Sequence, residues 1–119
     1  MGAVPKLGAI VLDCPDPVEL AGFYARLLDL PQPKVDDDSW VVLDGLDGVR
    51  VSFQRVESYR APEWPGQDVP QQLHLDLDVT DLEAAHSRAL SLGAKMLDDA
   101  SRFRVYADPA GHPFCLCAC

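Results

Sequence analysis

Five side chains in the second half of the sequence have the chemistry for binding a ligand or cation and the spacing to share one surface. In Leu73-His74-Leu75-Asp76-Leu77-Asp78-Val79 an imidazole and two carboxylates alternate with apolar residues, and in Phe114-Cys115-Leu116-Cys117 two thiols do the same. A period of two marks a strand with unlike faces. His74, Asp76, Asp78, Cys115 and Cys117 therefore point away from the side on which Leu75, Leu77, Phe114 and Leu116 are buried. Such groups can hydrogen-bond a polar ligand. One imidazole and one thiolate can also hold a soft metal if Gln54, Asp76 or water completes the sphere. The run Cys115-x-Cys117-x-Cys119 puts three thiols on one strand face, and for Cys115 plain buried packing ranks above adventitious metal binding or oxidation.

The first half repeats the arrangement. Arg50, Ser52 and Gln54 alternate with Val51 and Phe53, and Ala9, Val11 and Asp13 with Ile10 and Leu12. The apolar sets should lie under helices, and the mixed sets should line a cavity if the sheets curve. Trp40 and Trp64 are the candidate aromatic walls, Trp64 from a loop that serves either as a lid or as a surface anchor. His86, on a helix, and His112, in a turn, read as solvent-facing or turn-stabilising. No Gly-rich phosphate loop, nucleophile elbow or Ser-His-Asp arrangement is present.

The elements that must position these residues recur in the same order. A strand over Gly8 to Cys14 runs into Asp16-Pro17-Val18-Glu19, which reads as an N-cap, a proline at the first helical position and an acid closing a capping box. The helix from Pro17 to Leu28 buries Leu20, Ala21, Tyr24, Leu27 and Leu28 and ends near Leu30-Pro31. Strands follow around Trp40 to Leu43 and Val49 to Val56, joined by a turn over Asp44 to Gly48. From Gln72 the order returns: a strand Leu73 to Val79, a capping box Thr80-Asp81-Leu82-Glu83, a helix from Asp81 to Leu92 stopped by Gly93, and strands at Lys95 to Leu97, Phe103 to Tyr106 and Pro113 to Cys117. Setting Asp16 against Asp81 aligns Ala9 with His74, and setting Gly48 against Gly111 aligns Ser52 with Cys115. The fold class is α+β: two strand-helix-strand-strand-strand modules, about 5–56 and 72–119, related by a pseudo-two-fold and joined by a linker at about 57–71 into one domain, with curved mixed sheets enclosing a cavity.

Composition excludes several classes of function. The chain has 119 residues, 48% of them apolar, enough for a real core. Its formal net charge of -9 repels phosphate backbones and acidic lipid, so neither nucleic acid nor membrane is an expected partner. The run Asp36-Asp37-Asp38 reads as solvated surface. With no signal-like N-terminus and no run near the roughly 20 apolar residues of a membrane span, the expected location is cytoplasmic, with the four cysteines as free thiols.

The segment Leu73 to Val79, the ending Asp108-Pro109-Ala110-Gly111-His112-Pro113-Phe114, and Phe23-Tyr24 followed by Leu27-Leu28 together resemble the glyoxalase-like branch of the vicinal oxygen chelate (glyoxalase/bleomycin-resistance/dioxygenase) superfamily, from about Leu7 to Cys117. The resemblance implies a homodimer and a divalent metal held from the first and last strands of each module, at Ala9, Ser52, His74 and Cys115. Alanine has no donor, a neutral serine is a poor ligand, and the family's glutamate is replaced by Cys115, which leaves His74 and Cys115 as weak metal candidates and no cofactor expected. The leading expectation is a protein that binds a small organic molecule without the standard metal, through His74, Arg50, Ser52, Gln54, Asp76, Cys115, Cys117, Trp40 and Trp64. A metal-dependent lyase, isomerase or dioxygenase and a structural or regulatory dimer are the alternatives.

Overall fold

Aspartate caps open both helices in a computed structural model of the chain, which describes residues 3–100 and 102–118. Asp16 accepts from the Glu19 amide at 3.2 Å and Asp81 from the Ala84 amide at 3.1 Å, each satisfying an otherwise orphaned N–H of the first turn. The second cap falls one residue later than the Thr80 capping box predicts. Asp81 takes the cap, and Glu83 turns instead to Arg104.

The chain divides into two compact units, Met1–Glu57 and Ser58–Cys119. The first contains β1 (Ala9–Cys14), α1 (Pro17–Leu27), β2 (Trp40–Leu46) and β3 (Val49–Arg55), in a mixed sheet of order β1-β3-β2. The second contains β4 (Leu75–Asp78), α2 (Leu82–Ser91), β5 (Lys95–Asp99), β6 (Phe103–Ala107) and β7 (Pro113–Cys117), in order β4-β7-β6-β5. In both, the strand before the helix runs parallel to the last strand, which pairs antiparallel with its predecessor. The second unit thus has the full strand-helix-strand-strand-strand order. In the first, the segment between α1 and β2 forms no regular strand: Pro31 and Pro33 remove two amides from any ladder there, leaving only a bridge from Asp37 to Trp40.

Alternation places the apolar faces as the sequence predicts at Leu12, Val51, Phe53, Phe114 and Leu116, whereas Ile10, Leu75 and Leu77 are only half-buried and Ser52, Cys115 and Cys117 of the opposite face are buried. Leu12, Val51 and Phe53 are buried beneath α1, with Tyr24 stacked on Phe53 at 6.0 Å. In the second unit Tyr106 stacks on Phe114 at 5.5 Å, and Phe114 is in register with Leu75. His86 of α2 bonds the Tyr106 hydroxyl through Nδ1 at 2.7 Å, so it faces the sheet and is not the solvent-facing residue expected. Burial of Tyr106 raises its phenol above the ordinary value.

Two boundaries differ from the sequence reading for stated reasons. The β2–β3 hairpin closes on two residues, Asp47 and Gly48, both at positive φ, as a right-twisted two-residue turn requires. The earlier part of the expected turn is strand with a register shift between Leu43 and Leu46, where Gly45 adopts φ +96 with the Leu30 side chain against it. Strand β4 begins at Leu75 because His74 would next face Pro113, which has no amide to donate.

The segment read as a linker folds as part of the second unit. Tyr59 donates its hydroxyl to the Ala110 carbonyl at 2.8 Å and lies 3.2 Å from His112 Nε2, while the Glu63 amide donates to the Val69 carbonyl. His112 also donates its amide to Asp108 Oδ1, in keeping with a turn-stabilising role.

Candidate functional site

The helix-free face of the second sheet gathers the groups singled out by their spacing. Asp76 of β4 is in register with Cys115 of β7, and Asp78 with Cys117. His74 stands two residues before Asp76 and shares its side of the chain, with Nε2 3.2 Å from Asp76 Oδ1. The ligand atoms of His74, Asp76 and Cys115 all lie within 4.8 Å of one another. His74 and Asp76 are exposed, whereas Cys115 is only 8% exposed. Burial first, and then the Asp76 carboxylate and Cys117, push the Cys115 thiol up to about 11, so at neutral pH it is a protonated thiol.

Cys115 and Cys117 join Val105 in a small buried cluster, against which Trp64 packs. The loop tryptophan therefore rests on the same sheet face as the candidate donors. The third thiol of the spacing, Cys119, lies outside the described residues. Cys14, Cys115 and Cys117 are buried thiols.

In the first unit, register places Ala9 opposite Arg50, Val11 opposite Ser52 and Asp13 opposite Gln54. Trp40 and Val42 pair with Gln54 and Ser52 and extend this helix-free face onto β2. Arg50 and Gln54 are exposed and Ser52 is 2% exposed. Beside them an open cleft of about 810 Å³ is lined by Pro31, Pro33, Lys34, Trp40, Val42 and Asp44, among others. Trp40 leaves 43% of its surface free, an uncommon disposition for an indole on a sheet.

The wall formed by the 31–37 segment was not singled out in the sequence, although Pro31-x-Pro33 just before an aromatic strand was its available signal. Asp36 and Asp37 line the cleft as exposed groups. Asp37 accepts from the Ser39 amide and hydroxyl, bonds that hold its carboxyl below the ordinary value, and Asp38 pairs with Arg55 at 3.2 Å.

The four positions at which the resemblance places metal ligands do not form the standard set. Ala9 supplies no donor, Ser52 supplies only a buried neutral hydroxyl, and Cys115 supplies sulfur in place of a carboxylate. The ladder shows why Ala9 and His74 correspond. Ala9 precedes the Val11–Ser52 pair as His74 precedes the Asp76–Cys115 pair. The repeat has kept its backbone frame in both units and its donor side chains in one.

No curated protein matches the chain. Among solved structures, a possible glyoxalase from Bacillus cereus is 12% identical with a TM-score of 0.71, over 97% of this chain and 100% of that one. A glyoxalase/bleomycin resistance protein/dioxygenase family enzyme from Burkholderia phytofirmans is 14% identical with a TM-score of 0.72, over 94% and 97%. A mutant of the fosfomycin resistance protein FosX from Listeria monocytogenes, complexed with Mn(II) and a dihydroxypropylphosphonic acid, is 15% identical with a TM-score of 0.72, over 97% and 90%. At these identities the likeness shows the fold. The profile of the glyoxalase-like domain family matches residues 9–117, nearly the whole sequence, and the chain belongs to that family, within the vicinal oxygen chelate superfamily.

Proposed function

We propose that this glyoxalase-like protein binds a small organic molecule on the helix-free face of its first unit, without the family's standard metal set. The observation that carries the reading is the cleft beside Trp40. Its volume of about 810 Å³ falls in the range typical of small-molecule sites, roughly 300–1,000 Å³. The half-exposed indole and Val42 offer a flat apolar contact, and Lys34 and Asp44 at the cleft, with Arg50 and Gln54 on the same sheet face, offer charge and hydrogen bonds to orient a ligand. The fosfomycin resistance protein among the structural neighbours is an instance of this fold directed at a small organic molecule. A cytoplasmic location and a homodimer belong to the same reading; Cys14, Cys115 and Cys117 are thiols, and no helix among the described residues is long and apolar enough to cross a membrane. Metal-dependent lyase, isomerase or dioxygenase chemistry ranks second, favoured by the grouping of His74, Asp76 and Cys115.

A small-molecule screen read by tryptophan fluorescence tests the proposal. Trp40→Phe assigns the signal, and, with affinities measured by calorimetry, Trp40→Ala and Arg50→Ala should each weaken the binders at least about tenfold, with thermal midpoints within a few degrees of the parent, as for surface substitutions costing under about 1 kcal/mol. Binders indifferent to both substitutions would sink the reading.

A further inference from the structure

We propose that the Trp40 cleft of the first unit selects organic cations, amines and quaternary ammonium compounds that also carry a hydrogen-bond acceptor. The inference rests on the ligand-binding reading above and adds to it the charge of the ligand. The first argument is the balance of charge around the cleft. Its lining holds the carboxylates of Asp36, Asp37 and Asp44 against the single ammonium of Lys34. Asp36 and Asp44 are exposed and, among the described residues, have no ion-pair partner, whereas the neighbouring Asp38 is paired with Arg55. On a convex surface such acids would simply be solvated. Along a concave wall their field is concentrated on whatever enters, and the net charge of -9 gives the whole chain the same sign.

The second argument is the indole. With 43% of its surface free, Trp40 can offer its ring to a ligand, and the electron-rich face of an indole attracts a cation more strongly than any other side-chain ring does and repels an anion. The acids bracket it in the chain, two before β2 and Asp44 within it. The wall is also fixed before a ligand arrives. Pro31 and Pro33 restrict its backbone, Asp37 accepts from the Ser39 amide at 2.9 Å and hydroxyl at 2.8 Å, and the Trp40 amide donates to the Asp37 carbonyl at 3.2 Å. A wall held in this way loses little freedom on binding. Lys34 and Arg50 are then left to donate to an acceptor elsewhere on the same molecule, which distinguishes the class from simple alkylamines.

The test screens the full chain against organic cations, neutral molecules and anions in equal number and of equal size, ranked by calorimetry, directly or by competition. Binders that weaken with Trp40→Ala should be cations. Acetylcholine and its uncharged isostere, in which a quaternary carbon replaces the nitrogen, share a shape and an ester acceptor, and the cation should bind at least about tenfold more tightly. Asp36→Asn and Asp44→Asn should each weaken acetylcholine by about threefold or more and leave the isostere within about twofold. Asp98→Asn, which removes the same charge from β5 of the second unit, should leave both unchanged. Trp40-dependent binders that are neutral or anionic, an isostere that binds as well as acetylcholine, or equal effects of Asp44→Asn and Asp98→Asn would each overturn the inference and leave the ligand site standing. A screen with no Trp40-dependent binder of any charge would overturn the ligand-binding reading itself.

Discussion

Cys115 shows how a single residue type changes the meaning of an inherited position. A carboxylate there would be charged at neutral pH, whereas this thiol, buried beside Val105 and facing Asp76, keeps its proton to about 11 against an ordinary 9.0. Between those pH values the folded chain holds a proton that the unfolded chain has lost. Stability from this source is therefore complete below about pH 9 and disappears as pH rises through about 11. In chelator-treated protein, the urea midpoint should fall across this window, and Cys115→Ala should fall less steeply than the parent. Parallel slopes would mean that burial does not hold the thiol protonated. The neighbouring Asp76 was legible in the sequence as one of several alternating acids. Its particular partnership was not, because register between strands 39 residues apart is set by tertiary pairing and leaves no local trace.

At the scale of elements, local rules were most legible where a side chain acts on its own backbone. Asp16 and Pro17 fix the start of α1, and Gly93 ends α2 at φ +111, with the Gly93 amide donating to Leu90 and the Ala94 amide to Ala89. The end of α1 falls where the sequence places it, at Leu28, but the same motif, there built on an aspartate, stops it rather than Pro31. Asp29 sits at φ 55, its amide donates to Arg26 and that of Leu30 to Ala25, so the helix closes before Pro31 is reached. A non-glycine residue in this conformation costs about 1 kcal/mol, somewhat less for aspartate. Asp29→Gly should therefore raise the thermal midpoint by about 2–5 °C, measurable by circular dichroism. A lower midpoint would show that the aspartate side chain contributes more there than its backbone strain costs. The first unit's missing strand has the opposite origin: two prolines were visible in the sequence, but the cleft wall they help to form depends on where β2 lies.

For the whole molecule, the open question is what meets the outer edge of the second sheet. Strand β5 is the last in its sheet, all five of its residues are exposed, and Met96 and Leu97 with Phe103 of β6 leave apolar surface to solvent at 44%, 41% and 42%. An edge of this kind is a template for strand pairing unless charge or cover blocks it, and Lys95, Asp98 and Asp99 provide only partial blocking. The homodimer implied by the family would have a suitable surface here. Each copy brings a net charge of -9, so association must overcome long-range repulsion that salt screens over about 10 Å at 0.1 M. Self-association should accordingly tighten as sodium chloride rises from 20 to 300 mM, on the order of severalfold, the reverse of an interface held by opposite charges. Sedimentation at several concentrations should give a dimer that Leu97→Asp disrupts and Val4→Asp, also on an exposed apolar residue, does not. A monomer at every salt concentration would remove the dimer from the proposal, and a dimer unmoved by Leu97→Asp would place its interface elsewhere.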